Sequence, residues 1–219
     1  MPPGPQPVSR EASAEDQRRR ILRATAELMA KRGFQETTTE LIVRRAKVGY
    51  ATFYKQFGDK EGALTALFDL AAERGRAVVR DSFRGSEAPW TERAALGIRA
   101  LFEQIAAHPT IARVCLVEAL TAGPVLVARY EEVLVSFEPM LRPGRDMSPR
   151  GERLPQSLEK TLAGGILWLA YQRLIVGEAE KLLEQLPEAV EFVLTPYVGE
   201  DEAVRTADEL FPDAAGAAA

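Results

Sequence analysis

The sequence predicts an all-α protein in which an N-terminal three-helix bundle with a helix-turn-helix precedes a larger helical C-terminal domain. Three observations carry this. Apolar residues recur at three- and four-residue steps from about Glu15 onward, and no stretch shows the alternation and turn spacing of a sheet. The breaks between helical patterns fall on Pro and Gly. Finally, Thr38–Phe57, TTELIVRRAKVGYATFYKQF, holds two short helical patterns, Thr39–Ala46 and Gly49–Phe57, joined only through Lys47 and Val48. That is the outline of a unit whose second helix lies in a DNA major groove while the first braces it.

Residues 1–14 are rich in Pro and polar residues without periodicity and read as a disordered arm. From Glu15 to Arg32, Ile21, Leu22, Thr25, Leu28 and Met29 mark the inner face of a first helix, which Gly33 stops. Thr38 and Thr39 open the second helix, where a hydroxyl caps free N–H groups and the same N-terminus suits a phosphate. In the third helix Val48, Phe53 and Phe57 face inward. Tyr50, Ala51, Thr52, Tyr54 and Lys55 are left outside, offering two phenols, a hydroxyl and an ammonium to phosphates and base edges. Asp59 is a fair N-cap for a fourth helix reaching about Ser82, within a linking segment over 59–84. Lys60 in its first turn opposes the helix dipole unless an anion such as a DNA phosphate compensates.

These residues carry a resemblance. Ile21-x-x-Ala24-x-x-x-x-Leu28, Gly33-Phe34, Thr38-Thr39, Ile42, Ala46-x-Val48, Thr52-Phe53-Tyr54-x-x-Phe57 and Lys60-Glu61-x-x-Leu64, in that order and spacing, resemble the DNA-binding domain of the TetR family of transcriptional regulators. Two positions depart from its pattern: Lys47 stands where Gly is usual, and Gly49 where Ser or Thr is usual. Lys47 puts a side chain into a turn that prefers positive φ, and Gly49 leaves the reading helix without a side-chain cap. The resemblance places a DNA-binding domain in residues 15–58; together with the residue reading, the candidate contact positions are Thr38, Thr39, Gly49, Tyr50, Ala51, Thr52, Tyr54, Lys55 and, at the start of the fourth helix, Lys60, with Lys47 added by its position alone. It also implies a homodimer built from the last long helices and a small effector held between C-terminal helices.

Beyond a boundary at Gly85–Pro89, residues 85–210 read as helices Trp90–Ala107, Thr110–Ala122, Val125–Leu141, Gln156–Gly177, Ala179–Leu186, Glu188–Val198 and Asp201–Leu210. Arg142–Leu154, with two Pro and two Gly, reads as a mobile loop, and residues 211–219 as a flexible tail. Phe102, Cys115, Tyr130, Phe137, Met140, Trp168 and Tyr171 are candidates to line an effector pocket, a stripe that also serves as plain core. Gly164, which with Ala163 and Gly165 permits close backbone approach, and Leu167, Leu174, Ile175, Val190 and Leu194 are candidates for a dimer seam.

Charge supports the division. Residues 1–60 carry 12 basic against 7 acidic side chains, a net of +5, and residues 61–219 carry 16 against 25, a net of −9. The cationic part coincides with the helix-turn-helix, as phosphate neutralisation requires. With 1 Cys and 1 His, no disulfide or Cys/His metal site is expected, and no cofactor is implied. There is no nucleophile–base pair or glycine-rich phosphate loop, so no enzymatic activity is expected. No signal peptide or membrane span is read, and a cytoplasmic location is expected. The expected partners are a pseudo-palindromic double-stranded operator, a small-molecule effector and a second copy of the chain, in a regulator that acts as a repressor. The alternative is a helical protein-interaction module that does not use its helix-turn-helix.

Overall fold

In the computed structural model, which describes residues 10–84 and 87–212, the chain is helical throughout, with no strand among the described residues. The helices are α1 (Arg10–Glu36), α2 (Thr39–Ala46), α3 (Tyr50–Phe57), α4 (Lys60–Phe83), α5 (Trp90–Ala107), α6 (Pro109–Arg113), α7 (Pro124–Ser136), α8 (Glu138–Leu141), α9 (Leu158–Val176), α10 (Leu186–Val198) and α11 (Glu200–Leu210). Among the described residues no helix is long and apolar enough to cross a membrane.

Helix α1 starts earlier than its apolar periodicity, because Arg10–Ala14 are good helix formers that need no buried face. These five residues of the expected arm are therefore helical, while residues 1–9 lie outside the described part. The stop at Gly33 is a kink: its φ of 82° is open to glycine, and the Thr37 hydroxyl donates to the Gly33 carbonyl at 2.8 Å. Thr38 caps α2, accepting from the Leu41 N–H, and Asp59 caps α4, accepting from the Gly62 N–H at 2.7 Å. Gly49 precedes α3 with no side-chain cap, as its lack of a side chain requires.

Two apolar clusters hold the molecule together. The first runs without a break from Ile21, Met29, Ile42 and Phe53 through Leu64 and Phe68 of α4 to Val114, Cys115, Leu126, Phe137 and Leu167. The second gathers α5, α9, α10 and α11 around Phe102, Leu182, Val190, Leu194 and Tyr197. The three-helix bundle thus shares its core with α4 and the first half of the C-terminal region. Of the expected boundary at Gly85–Pro89, residues 85 and 86 lie outside the described part, as do residues 213–219 of the expected tail.

The segment expected as one helix over Thr110–Ala122 changes pitch. After α6 it widens into a π turn at Val114–Glu118 and tightens into a 3-10 turn at Ala119–Thr121. Val125–Leu141 is likewise split at Phe137 into α7 and α8, with Pro139 in the first turn of α8.

The loop expected to be mobile over Arg142–Leu154 is instead pinned. It forms two 3-10 turns, Arg142–Met147 and Gly151–Arg153, around the Arg145 guanidinium. That group donates to both carboxylate oxygens of fully buried Glu159, at 2.6 and 2.9 Å, and to the carbonyls of Gly151, Leu154 and Pro155. The Tyr197 hydroxyl donates to Glu159 from the other side at 3.3 Å. Burial alone raises the Glu159 pKa, but Arg145 and Tyr197 hold it below the ordinary carboxylate value.

Candidate nucleic-acid interface and effector chamber

Helix α3 stands on Phe53, which is 0% exposed and packs edge-on against the Tyr54 ring and beside Phe57. With that residue locked inward, helical geometry turns Tyr50, Ala51, Tyr54 and Lys55 outward. Tyr50 and Tyr54 are 50% and 51% exposed, and their rings stack at 6.4 Å. Two apolar rings held in water one turn apart form a firm platform ending in two phenol groups. Thr52 is half-buried, and Gly49, Lys47 and Thr38 are exposed on the same end of the domain.

The turn between α2 and α3 is made by Lys47 itself, at φ 53° and ψ 50°. The Arg20 guanidinium stabilises it from α1, donating to the Ala46 and Lys47 carbonyls at 3.0 and 3.2 Å. Glu27 ties α1 to α2 through Arg45 at 2.6 Å, and Arg45 followed by Arg23 holds that carboxyl below its ordinary range. Arg44, exposed on α2, carries no ion pair among the described residues. It is a cation at this surface that the sequence reading passed over.

Lys60 solves its dipole problem within the protein. Its ammonium donates to the Phe34 and Gln35 carbonyls at 2.9 and 3.3 Å and sits 4.3 Å from the centre of the Phe34 ring. Two of its three donors are so used. The same Phe34–Gln35 segment is held from the C-terminal side. The Phe34 N–H donates to Glu118 Oε2 at 3.2 Å, and the Gln35 amide donates to the Thr121 carbonyl. No sequence signal announces this contact, because it joins residues far apart in the chain across a π turn.

A chamber of about 100 Å³ lies where α4, α5, α6, α7 and α9 meet. Its wall comes from Leu67, Phe68, Leu70, Ala71, Ala72, Arg74 and Gly75 of α4, Leu101 and Ile105, Ile111 and Ala112, Cys115 and Leu116 on the π turn, Tyr130, Val133 and Phe137, and Leu167. Gln104, His108, Arg74 and the Tyr130 phenol are its polar members. Burial pushes the Cys115 thiol up to about 12, so it stays protonated, and raises the Tyr130 phenol too. A second apolar cavity of about 50 Å³ adjoins it, sharing Leu101, Phe137 and Leu167 as a partition.

Of the pocket candidates, Cys115, Tyr130 and Phe137 line the chamber and Met140 lines the second cavity. Phe102 lies in the second core instead and is fully buried. Trp168 and Tyr171 are outside both cavities; they stack at 5.0 Å, and Trp168 is 56% exposed. The contribution of α4 went unread because a helix taken as a linker was not expected to form a wall, although Ala71, Ala72 and Gly75 mark a close approach.

The expected seam is also redistributed. Leu167, Leu174, Val190 and Leu194 are buried within the chain, while Ile175 is exposed and Gly164 half-exposed. The large apolar side chains that α9 and α10 leave exposed are Trp168, Ile175, Val176 and Phe192, the last 45% exposed and lying across Gly165, where an added Cβ would fall 2.5 Å from its ring. Both sides of α9 are apolar, so the helical period alone does not say which stripe is left to solvent.

Comparison with known proteins falls on the same stretch. The family model described as "Bacterial regulatory proteins, tetR family" matches residues 21–67, from the inner face of α1 into α4. The uncharacterized HTH-type transcriptional regulator YvkB of Bacillus subtilis (strain 168) is 41% identical over 49 residues, 22% of this chain; the match spans only 26% of that relative's length. Among solved structures, the fatty acid degradation regulator FadR from Bacillus halodurans superposes with a TM-score of 0.69 at 20% identity, covering 80% of this chain and 97% of that one. FadR from Bacillus subtilis, in complex with stearoyl-CoA, gives 0.68 at 18% identity over 81% and 98%. A gamma-butyrolactone receptor (ArpA-like protein) gives 0.60 at 20% identity over 92% and 98%. At such identities the structures speak for the fold, whereas the matched stretch carries the helix-turn-helix itself, with its inner residues buried and its outer ones in water. By that match, residues 21–67 carry the DNA-binding region described for the tetR family of bacterial regulatory proteins.

Proposed function

We propose that the protein is a homodimeric transcriptional repressor that binds a pseudo-palindromic operator through α3 and is released by a small amphipathic effector in the chamber. The observation that carries the first half is the fixed outward face of α3. Phe53 is buried beneath it, and Tyr50, Ala51, Tyr54 and Lys55 project into solvent. In this reading Tyr50, Ala51 and Lys55 face base edges, while Thr38, Thr39, Lys47, Gly49, Thr52, Tyr54 and the third donor of Lys60 serve phosphates. The dimer forms through the Trp168, Ile175 and Phe192 face and sets two α3 helices about one DNA turn apart, roughly 34–36 Å.

The effector half is supported by the shared core. The π turn that lines the chamber also holds the Phe34 N–H through Glu118, so a ligand that shifts the turn bears on the reading domain. Structures of the same fold come from proteins described with stearoyl-CoA and as a gamma-butyrolactone receptor, which supports a small-molecule role here. Release requires that the effector favour the arrangement that fits DNA poorly.

Selection of bound sequences from a random DNA pool at defined salt tests the reading. A convergent inverted repeat, lost in Lys55→Ala with a salt slope lower by about one charge, is the expected outcome. Weak, salt-sensitive binding with no consensus refutes it.

A further inference from the structure

Resting on the effector reading above, the geometry points to the ligand's chemistry: we infer a monoanionic amphiphile whose apolar part is a single chain of about six to eight carbons. The wall of the chamber contains no Asp or Glu. Besides the Tyr130 phenol within, its polar side chains are Arg74, Gln104 and His108, from α4 and the end of α5, with Gln104 and His108 one turn apart on the same face. Arg74 and His108 are exposed and Gln104 half-buried, so all three stand at the rim. None of them has a side-chain hydrogen bond or ion pair among the described residues, although Glu73, next to Arg74, binds both Arg76 and Arg80. A cation and two further polar groups left unengaged around an apolar hole suit an anionic head group and an apolar tail.

Size and shape narrow the tail. A dry cavity of roughly 150 Å³ takes up benzene, and the chamber and its neighbour, at about 100 and 50 Å³, reach that size only together. They are separated by the Leu101, Phe137 and Leu167 side chains, so an occupant of both passes a waist. An unbranched chain does this by moving side-chain tips, whereas a fused ring would force the helices apart. A long acyl chain exceeds the space beyond the waist.

The test is calorimetric titration of the full chain with octanoate, octanol, stearate and octanoyl-CoA, each repeated with Arg74→Met, a rim substitution that keeps an apolar stem. Octanoate should bind at least about tenfold more tightly than octanol, and Arg74→Met should erase that difference. Octanoyl-CoA, whose coenzyme A phosphates carry several negative charges, should bind more weakly than octanoate, and binding tighter than octanoate's overturns the monoanionic head group. Octanol binding as well as octanoate, an unchanged ratio in Arg74→Met, or stearate binding as tightly as octanoate overturns it. Operator release separates the two claims. Octanoate that binds with the stated preference but leaves DNA affinity unchanged refutes the effector reading and keeps the ligand class, whereas release by a different class of molecule keeps the reading and refutes the class.

Discussion

Replacing Arg145 by Ala should destabilise the protein by about 3–5 kcal/mol, the usual cost of leaving a buried carboxylate without its partner. The magnitude follows from what is lost. Two charge-assisted hydrogen bonds to Glu159 disappear, and the carbonyls of Gly151, Leu154 and Pro155 lose their donor. In urea, with a slope near 3 kcal/mol per molar for a chain of this size, the midpoint should fall by about 1–1.7 M at fixed protein concentration. Arg145→Met combined with Glu159→Leu should recover much of this, leaving about 1–3 kcal/mol for the stranded Tyr197 hydroxyl and loop carbonyls. The pH dependence has a definite sign. In the native protein Glu159 is held below the ordinary value of 4.5, so its contribution is complete above that pH and is lost as pH falls through the lower folded-state value. In Arg145→Ala burial dominates and raises the same group, so acid protonates it in the fold and the gap between the two proteins narrows. A midpoint shift under about 0.3 M, or a gap that does not change between about pH 7 and 4, would refute the assignment of this network as the pin of the loop.

Lys47→Gly should raise stability by about 0.5–1 kcal/mol, since relief of the left-handed cost outweighs glycine's extra unfolded entropy. The same change should lower the salt slope of operator binding by about one charge, and a melting temperature at or below the parent's would contradict the backbone argument. Phe192→Glu should convert the dimer to monomer in sedimentation velocity without lowering helix content, because the ring is half in water in the single chain; an unchanged dimer would move the interface elsewhere. Glu118→Ala should leave effector affinity for the DNA-free protein within about threefold while cutting effector-driven release from its expected 5–150-fold range toward unity. Full release in that variant would exclude the Phe34 contact as a route.

The fold was legible because its signals are local. Thr38, Gly33 and Asp59 act through their own backbone neighbours, and the caps and kink sit where those residues stand. Phe53 could be assigned inward because an eight-residue helix with one apolar stripe has one way to lie down. The chamber and the uncovered face were harder for the opposite reason. Helix α9 is apolar around its circumference, so no periodicity says which of Leu167 and Trp168 meets the core. The pairing of Arg145 with Glu159 leaves no sign in the sequence, because a lone Arg in a Pro- and Gly-containing loop carries no mark of the buried carboxylate it meets.

The shared core has a mechanical consequence. Had the three-helix bundle closed its own core, α4 would be a lever between two independent bodies, and effector binding would act only through its angle. Instead Leu64, Leu67 and Phe68 share one apolar cluster with Phe53 on one side and Cys115 and Phe137 on the other. Close-packed interiors shift between discrete arrangements rather than deform smoothly. Alongside that packing run two polar ties to one strip of backbone, Lys60 on the Phe34 and Gln35 carbonyls and Glu118 on the Phe34 N–H. One tie belongs to the reading domain's own linking helix and the other to the chamber wall. An occupant that displaced Cys115 and Leu116 would therefore pull on a strip that Lys60 anchors, and the kink at Gly33, where α1 is interrupted, is the place at which the backbone can absorb the movement.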